Sequence, residues 1–252
     1  MSLLRLSDIS VTLRQRTVLE RVSLEIGAGE LVGLIGANGA GKTTLMRAAL
    51  GLIPAQGDSS LAQMAPRARA KAAAWLPQAR EVSWPVDVET LVTLGRIPHL
   101  GTGQPVGEMD RAAAERALDR MGLKELRART VTRLSGGEQA RVLIARVLAQ
   151  ETPLILADEP IAGLDPAHQI STMRIFRELA AEGHSVLVSI HDLGLAARHC
   201  TRLVLLGGHA KVADGVPRQV LTPDNLRDHF GICAHFEETA QGPIFQATEV
   251  VG

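Results

Sequence analysis

The sequence contains no tyrosine, and its aromatic residues are four Phe and two Trp in 252 residues. No step that needs a phenol, and no Tyr ring as a stacking platform, is open to this chain. Cysteine is nearly as scarce. Cys200 and Cys233 are too few for a disulfide scaffold and lack metal-ligand spacing, which points to a reducing compartment. Net charge is missing as well, since 27 Lys and Arg balance 27 Asp and Glu. An electrostatic nucleic-acid binder carries a basic excess or stripe, so no nucleic-acid partner is expected. No apolar run approaches the ~20 residues of a transmembrane helix. Residues 1–5 lead into alternating strand-like sequence without a signal-peptide block or cleavage site. If the protein acts at a membrane, another subunit is expected to do the spanning.

What is present is aliphatic. Hydrophobic residues make up 46% of the chain and charged residues 21%, a balance that excludes disorder and implies an aliphatic core. The length suits one domain of ordinary α/β size, with room for a small insertion. Residues 3–13 and 17–26 alternate as half-buried strands do. Residues 27–30 read as a turn. Residues 31–35, 154–157 and 185–190 are short apolar runs, the pattern of strands buried on both faces. Helical sequence follows them at 43–50, 166–182 and 192–199, which predicts a parallel sheet with helices on its faces. The stretch 78–133 has helical patterns at 88–94 and 110–121 and little strand signal, and reads as a helical insertion. Short strands return at 202–206, 211–214, 234–238 and 243–247, and the basic run 67–71 reads as a solvated helix face.

Gly36-Ala37-Asn38-Gly39-Ala40-Gly41-Lys42-Thr43-Thr44 satisfies the phosphate-loop pattern and lies between a buried strand and a helix. Glycines let consecutive backbone N–H groups converge on a phosphate chain, and the helix start adds partial positive charge. Lys42 is expected to reach the β- and γ-phosphates of a nucleotide, and the Thr43 hydroxyl to ligate Mg²⁺. The strand at 154–157 ends in Asp158-Glu159-Pro160. Asp158 is expected to support Mg²⁺, directly or through water. Strand alternation would turn Glu159 to the other face, where it could orient or deprotonate a water.

Leu134-Ser135-Gly136-Gly137-Glu138-Gln139 opens a helix that runs to about residue 148. Ser135 and Glu138 have capping-box spacing. That leaves Gly136 and Gly137 unexplained, since each costs roughly 1 kcal/mol relative to Ala inside a helix. A second phosphate contact at this helix start explains them.

These motifs, in this order, resemble the ATP-binding subunits of ABC transporters. The resemblance spans nearly the whole chain and also takes in Gln78 of Leu76-Pro77-Gln78, Gly163-Leu164-Asp165, and His191 after a buried strand. It implies an α/β fold of the P-loop NTPase, ABC ATPase type. A parallel-sheet core carries an antiparallel β subdomain and an inserted helical subdomain. The whole of 1–252 is one such domain: about 1–77 and 150–252 are core and β subdomain, about 78–149 helical. It implies ATP and Mg²⁺ as cofactors, and a homodimer enclosing two ATP molecules head to tail. The phosphate loop, Gln78, Asp158, Glu159 and His191 of one copy then face Ser135, Gly136 and Gly137 of the other, with Glu138 in the same motif. Gln78, with Thr43 and Asp158, is a metal-site residue; Glu159, His191 and Gln78 are the catalytic set; Asp165 links the two sites. Gln78 and the helical insertion pass the nucleotide-driven motion to a membrane permease dimer, at the cytoplasmic face of the cell membrane.

Residues 76–78 and 84–86, the run Val92-Thr93-Leu94-Gly95-Arg96-Ile97-Pro98-His99, and Ala167-His168-Gln169 look like the importer branch for iron–siderophore complexes, haem and cobalamin. That branch works with a substrate-binding protein. A soluble ABC-type ATPase of cofactor assembly or repair, and a non-hydrolysing nucleotide-gated regulator, are the alternatives. Three departures stand out. Ile161 replaces a Thr common after Asp-Glu-Pro, 56–66 is short enough to have trimmed a strand or hairpin, and Leu13 stands where the family usually stacks adenine on an aromatic ring. Base–aromatic stacking is worth ~1–3 kcal/mol in nucleic-acid binding. Leu13 is therefore expected to relax the preference between ATP and GTP. Comparable turnover parameters with the two nucleotides will support this, and strong ATP selectivity will contradict it.

Overall fold

The computed structural model describes residues 2–78, 82–240 and 242–251. β1 (Ser2–Leu13) and β2 (Arg16–Gly27) pair as an antiparallel hairpin whose turn residues, Arg14 and Gln15, both have positive φ. Leu4, Leu6, Ile9 and Val11 of β1 and Leu19, Val22, Leu24 and Ile26 of β2 are buried. β3 (Leu31–Ile35) is buried throughout and leads through the phosphate loop into α1 (Lys42–Ala49). The short stretch at 56–66 keeps one strand, β4 (Gln56–Ser59), which pairs with β1. α2 (Pro66–Ala72) has no buried residue, and β5 (Ala73–Leu76) follows it.

The helical segment contains α3 (Val88–Thr93), a 3₁₀ turn over Leu94–His99, α4 (Glu108–Arg120) and α5 (Gly136–Ala149). Caps fix the helix starts. Asp87 accepts from Thr90 N–H at the start of α3, and Ser135 accepts from Glu138 N–H at the start of α5. Each such cap is worth roughly 1 kcal/mol. A Cβ at Gly95 would overlap the Arg146 carbonyl, so only glycine lets this turn pack against α5.

β6 (Leu154–Asp158), α6 (Pro166–Ala181), β7 (Ser185–Ser189), α7 (Leu193–His199), β8 (Arg202–Gly207) and β9 (Ala210–Gly215) complete the core. α8 (Pro217–Val220), α9 (Pro223–Phe230) and the hairpin β10 (Ile232–Thr239) and β11 (Gly242–Val250) end the chain. Among the described residues, six strands form one sheet in the order β5-β6-β7-β3-β8-β9, parallel except for β9.

Strand alternation sorts side chains into two cores. Val32, Leu34, Leu154, Leu156 and Leu187 pack with α1 and the β1–β2 hairpin. Leu31, Ile35, Ile155, Ala157, Val186 and Val188 pack on the other face with residues of α3 to α7. Because β5, β6, β7 and β3 are parallel neighbours, their carboxyl ends meet at one edge. Gln78, Asp158, Glu159, His191 and the phosphate loop all follow those ends, the usual place for ligands in an open α/β sheet.

Candidate active site

The phosphate loop takes a shape that other residues would resist. Gly39 and Gly41 have φ of 82° and 94°, and a Cβ at Gly41 would press on Leu19. Gly36 has positive φ too, and a Cβ there would run into the Leu206 carbonyl. Lys42 is 7% exposed and donates to Gly36 O at 2.7 Å and Ala37 O at 3.2 Å, folding back over its own loop. Burial lowers the Lys42 pKa, and the charges of Glu159 and Asp158 oppose that shift. A cavity of about 360 Å³ opens above the loop, lined by Asn38 to Thr44, Gln78, Glu159, His191 and Val18. Val18, which sequence reasoning did not single out, lies on the hairpin side of it.

The two acids differ sharply in setting. Asp158 is the last residue of β6 and 1% exposed. Its Oδ1 accepts from Ser189 Oγ at 2.6 Å, while its Oδ2 is buried without a hydrogen-bond partner. An ionised oxygen is seldom left so, and it fits a divalent cation or a water bound to one. Glu159 lies beyond the strand with φ of 49°, so a left-handed turn and not alternation sets its direction. Its N–H donates to Ser189 Oγ at 2.8 Å, and its Oε1 lies 2.6 Å from His191 Nε2.

Ser189 is therefore a brace that the sequence did not reveal. One buried hydroxyl donates to the Asp158 carboxylate and accepts from the Glu159 backbone. Ser189→Ala is expected to cost about 1–3 kcal/mol of stability, through the buried groups it strands, and to lower turnover with it. Urea denaturation alongside phosphate release checks both, and a cost under about 0.5 kcal/mol will contradict the brace.

The remaining sequence-predicted residues lie outside this cavity. Ser135 caps α5, and the Glu138 carboxylate returns to Ser135 N and Oγ at 2.8 Å each, closing the capping box. A Cβ on Gly136 would meet nothing within 4 Å, and one on Gly137 would make ordinary contact with Leu164. Packing within this chain thus does not require either glycine. Asp165 caps α6, accepting from His168 N–H at 3.0 Å, and its other oxygen lies 2.6 Å from His168 Nδ1. Leu13, at the tip of the β1–β2 hairpin, is 42% exposed and does not line the cavity.

A phosphate loop at the carboxyl edge of a parallel sheet, facing a buried carboxylate and a paired Glu and His, defines a P-loop nucleotide-binding cassette. Comparison with known proteins narrows the class. The ABC transporter family profile matches residues 19–162. The hemin import ATP-binding protein HmuV of Pseudomonas aeruginosa is 41% identical over 241 residues, covering 91% of this chain and 93% of that one. The cobalamin import ATP-binding protein BtuD of Halobacterium salinarum is 43% identical over 234 residues. That match covers 90% of this chain, which spans only 58% of the Halobacterium protein's length. A solved structure described as an inward-facing, metal-chelate type ABC transporter superposes with a TM-score of 0.86 at 25% identity, covering 99% and 98% of the two chains. The chain belongs to the ABC transporter family of ATP-binding proteins.

Proposed function

We propose that this chain is the ATP-binding and ATP-hydrolysing subunit of an importer for a metal chelate of the haem, cobalamin or iron–siderophore kind. The observation that carries the reading is the single cavity that gathers Lys42, Thr43, Gln78, Glu159 and His191. In this reading residues 36–44 wrap the triphosphate with backbone N–H groups, and Lys42 leaves its loop carbonyls for phosphate oxygens. The Thr43 hydroxyl, Asp158 and Gln78 hold Mg²⁺ or its waters, and bound Mg²⁺ neutralises charge on the phosphates. Glu159 accepts a proton from the attacking water. His191, hydrogen-bonded to Glu159, reaches for the γ-phosphate.

Ser135, Gly136 and Gly137 serve the second copy of the chain. Their open surface supports this, because the glycines answer no packing need of their own. Backbone N–H groups at a bare helix start suit the γ-phosphate of a nucleotide held on the partner's phosphate loop. Asp165, at the start of α6, joins the two sites. Leu13 covers the adenine from the hairpin tip.

Among the described residues no helix is long and apolar enough to cross a membrane, so the translocation path belongs to a permease. A groove of about 410 Å³ between α2, the 3₁₀ turn and α5 is our docking face for it, at the cytoplasmic side. Its rim carries Leu52, Leu94 and Ile97, exposed at 51%, 38% and 59%. A substrate-binding protein outside the membrane completes the system. Ile97→Glu is expected to leave ATP turnover of the isolated chain unchanged and to abolish co-purification with the permease. Undiminished capture of the permease will rule out this groove.

A further inference from the structure

On the far side of α7 from His191 lies a cavity of about 430 Å³, lined by α6, α7, α8 and the C-terminal hairpin. Nothing in the nucleotide reading uses it. Three guanidinium groups, Arg177, Arg198 and Arg218, line it against one carboxylate, Glu238. The Arg177 guanidinium donates to the Arg198 carbonyl at 3.4 Å, which pins one wall and covers an acceptor at the end of α7. The carboxyl end of a helix repels anions with about half a unit charge, well below the excess of guanidinium charge here.

His199 gives the cavity its chemistry. It is 8% exposed, and both ring nitrogens are buried without a hydrogen-bond partner. Burial, reinforced by the charges of Arg177 and Arg198, lowers its pKa, so the ring is neutral at pH 7. A neutral imidazole has one N–H donor and one acceptor nitrogen. Leaving both unmade costs of order 1–3 kcal/mol each. The neighbouring Cys200 thiol is pushed up to about 12 by burial and adds no anion to the cavity.

We propose that this cavity binds a phosphate group, free or as a monoester, between the three arginines and His199. A phosphate with a second pKa near ~6 carries anionic oxygens and, in its protonated fraction, a P–OH donor. It can therefore accept from the imidazole N–H and donate to the other ring nitrogen. Sulfate, unprotonated at pH 7, satisfies only one of the two.

The test follows the His199 ring by nitrogen-15 NMR in the full chain, assigned by the signal lost in His199→Gln. The nucleotide cavity is first saturated with magnesium and a non-hydrolysable ATP analogue. Inorganic phosphate, glycerol 3-phosphate and sulfate are then titrated, and vesicles of phosphatidylcholine with or without phosphatidic acid are tested by co-sedimentation. A saturating His199 shift with the two phosphates, weaker for sulfate, is expected. Its affinity should fall by at least about tenfold in Arg177→Gln and in Arg218→Gln, each losing one charge-assisted contact. A soluble-phosphate response without vesicle binding identifies a free phosphate compound. Sedimentation only with phosphatidic acid, lost in Arg218→Gln, identifies a lipid headgroup. No response of His199 to any probe, or a response equal for sulfate and untouched by the arginine variants, will overturn the proposal.

Discussion

Glu159→Gln is expected to lower ATP turnover by about 10²–10⁴-fold while Mg-ATP still binds. The amide keeps the size and the contacts of the carboxylate. It can still meet His191, whose Nε2 lies 2.6 Å from Glu159 Oε1, and the Ser189 bond to the Glu159 backbone does not depend on the side chain. What it loses is the ability to take a proton from water. Binding is expected to survive because the phosphate grip rests on Lys42 and the loop backbone, which the substitution leaves in place. Steady-state phosphate release together with equilibrium nucleotide binding separates the two effects. Unchanged turnover will refute the role of Glu159 as base, and loss of binding will show that it acts on the ground state instead.

Arg96→Ala is expected to remove about 3–5 kcal/mol of stability, the usual cost of breaking one side of a buried ion pair. Arg96 is 5% exposed, and its guanidinium ties three elements together. It donates to Asp110 at 3.0 Å in the first turn of α4, to Ala149 O at 2.8 Å at the end of α5, and to Glu151 at 2.9 Å. Asp110 also accepts from Gly107 N–H at 3.1 Å. Its bonds to Arg96 and Gly107 hold its carboxyl below the usual carboxylate range. A depressed carboxylate pKa contributes stability at neutral pH that is lost as pH falls through the folded value. The variant should therefore show its largest deficit near neutrality and a smaller one in acid. Urea denaturation at the two pH values checks both points, and a cost under about 1 kcal/mol will show that the pair is dispensable.

Arg96 also marks where reading the sequence stops. A charged residue is ordinarily assigned to the surface, and nothing local told that its partners Asp110, Ala149 and Glu151 would close over it. Ser189 is hidden for the same reason, since its two partners come from the neighbouring strand. The buried strands at 31–35, 154–158 and 185–189 are legible because both faces are covered, which leaves unbroken apolar runs. The phosphate loop is legible because its backbone shape demands glycine at fixed spacing. β5 reads poorly, being four residues with two alanines, and α8 and α9 are too short for periodicity to show. Only the prolines opening both helices hinted at them. The direction of Glu159 was misread from alternation, because a left-handed turn falls on the residue that follows the strand.

The central claim is that each ATP is held between the phosphate loop of one copy and the Ser135-Gly136-Gly137 helix start of another. Two damaged chains, mixed, test it most directly. Lys42→Ala removes the phosphate grip and keeps the glycine pair, and Gly137→Asp does the reverse by placing a carboxylate where a phosphate must approach. Each chain alone is expected to be inactive. Assembled together with the permease, they form one site with an intact loop from one copy and an intact helix start from the other, and ATP turnover should exceed the sum of the two measured separately. Turnover no greater than that sum, or an active Gly137→Asp chain by itself, will contradict the shared site.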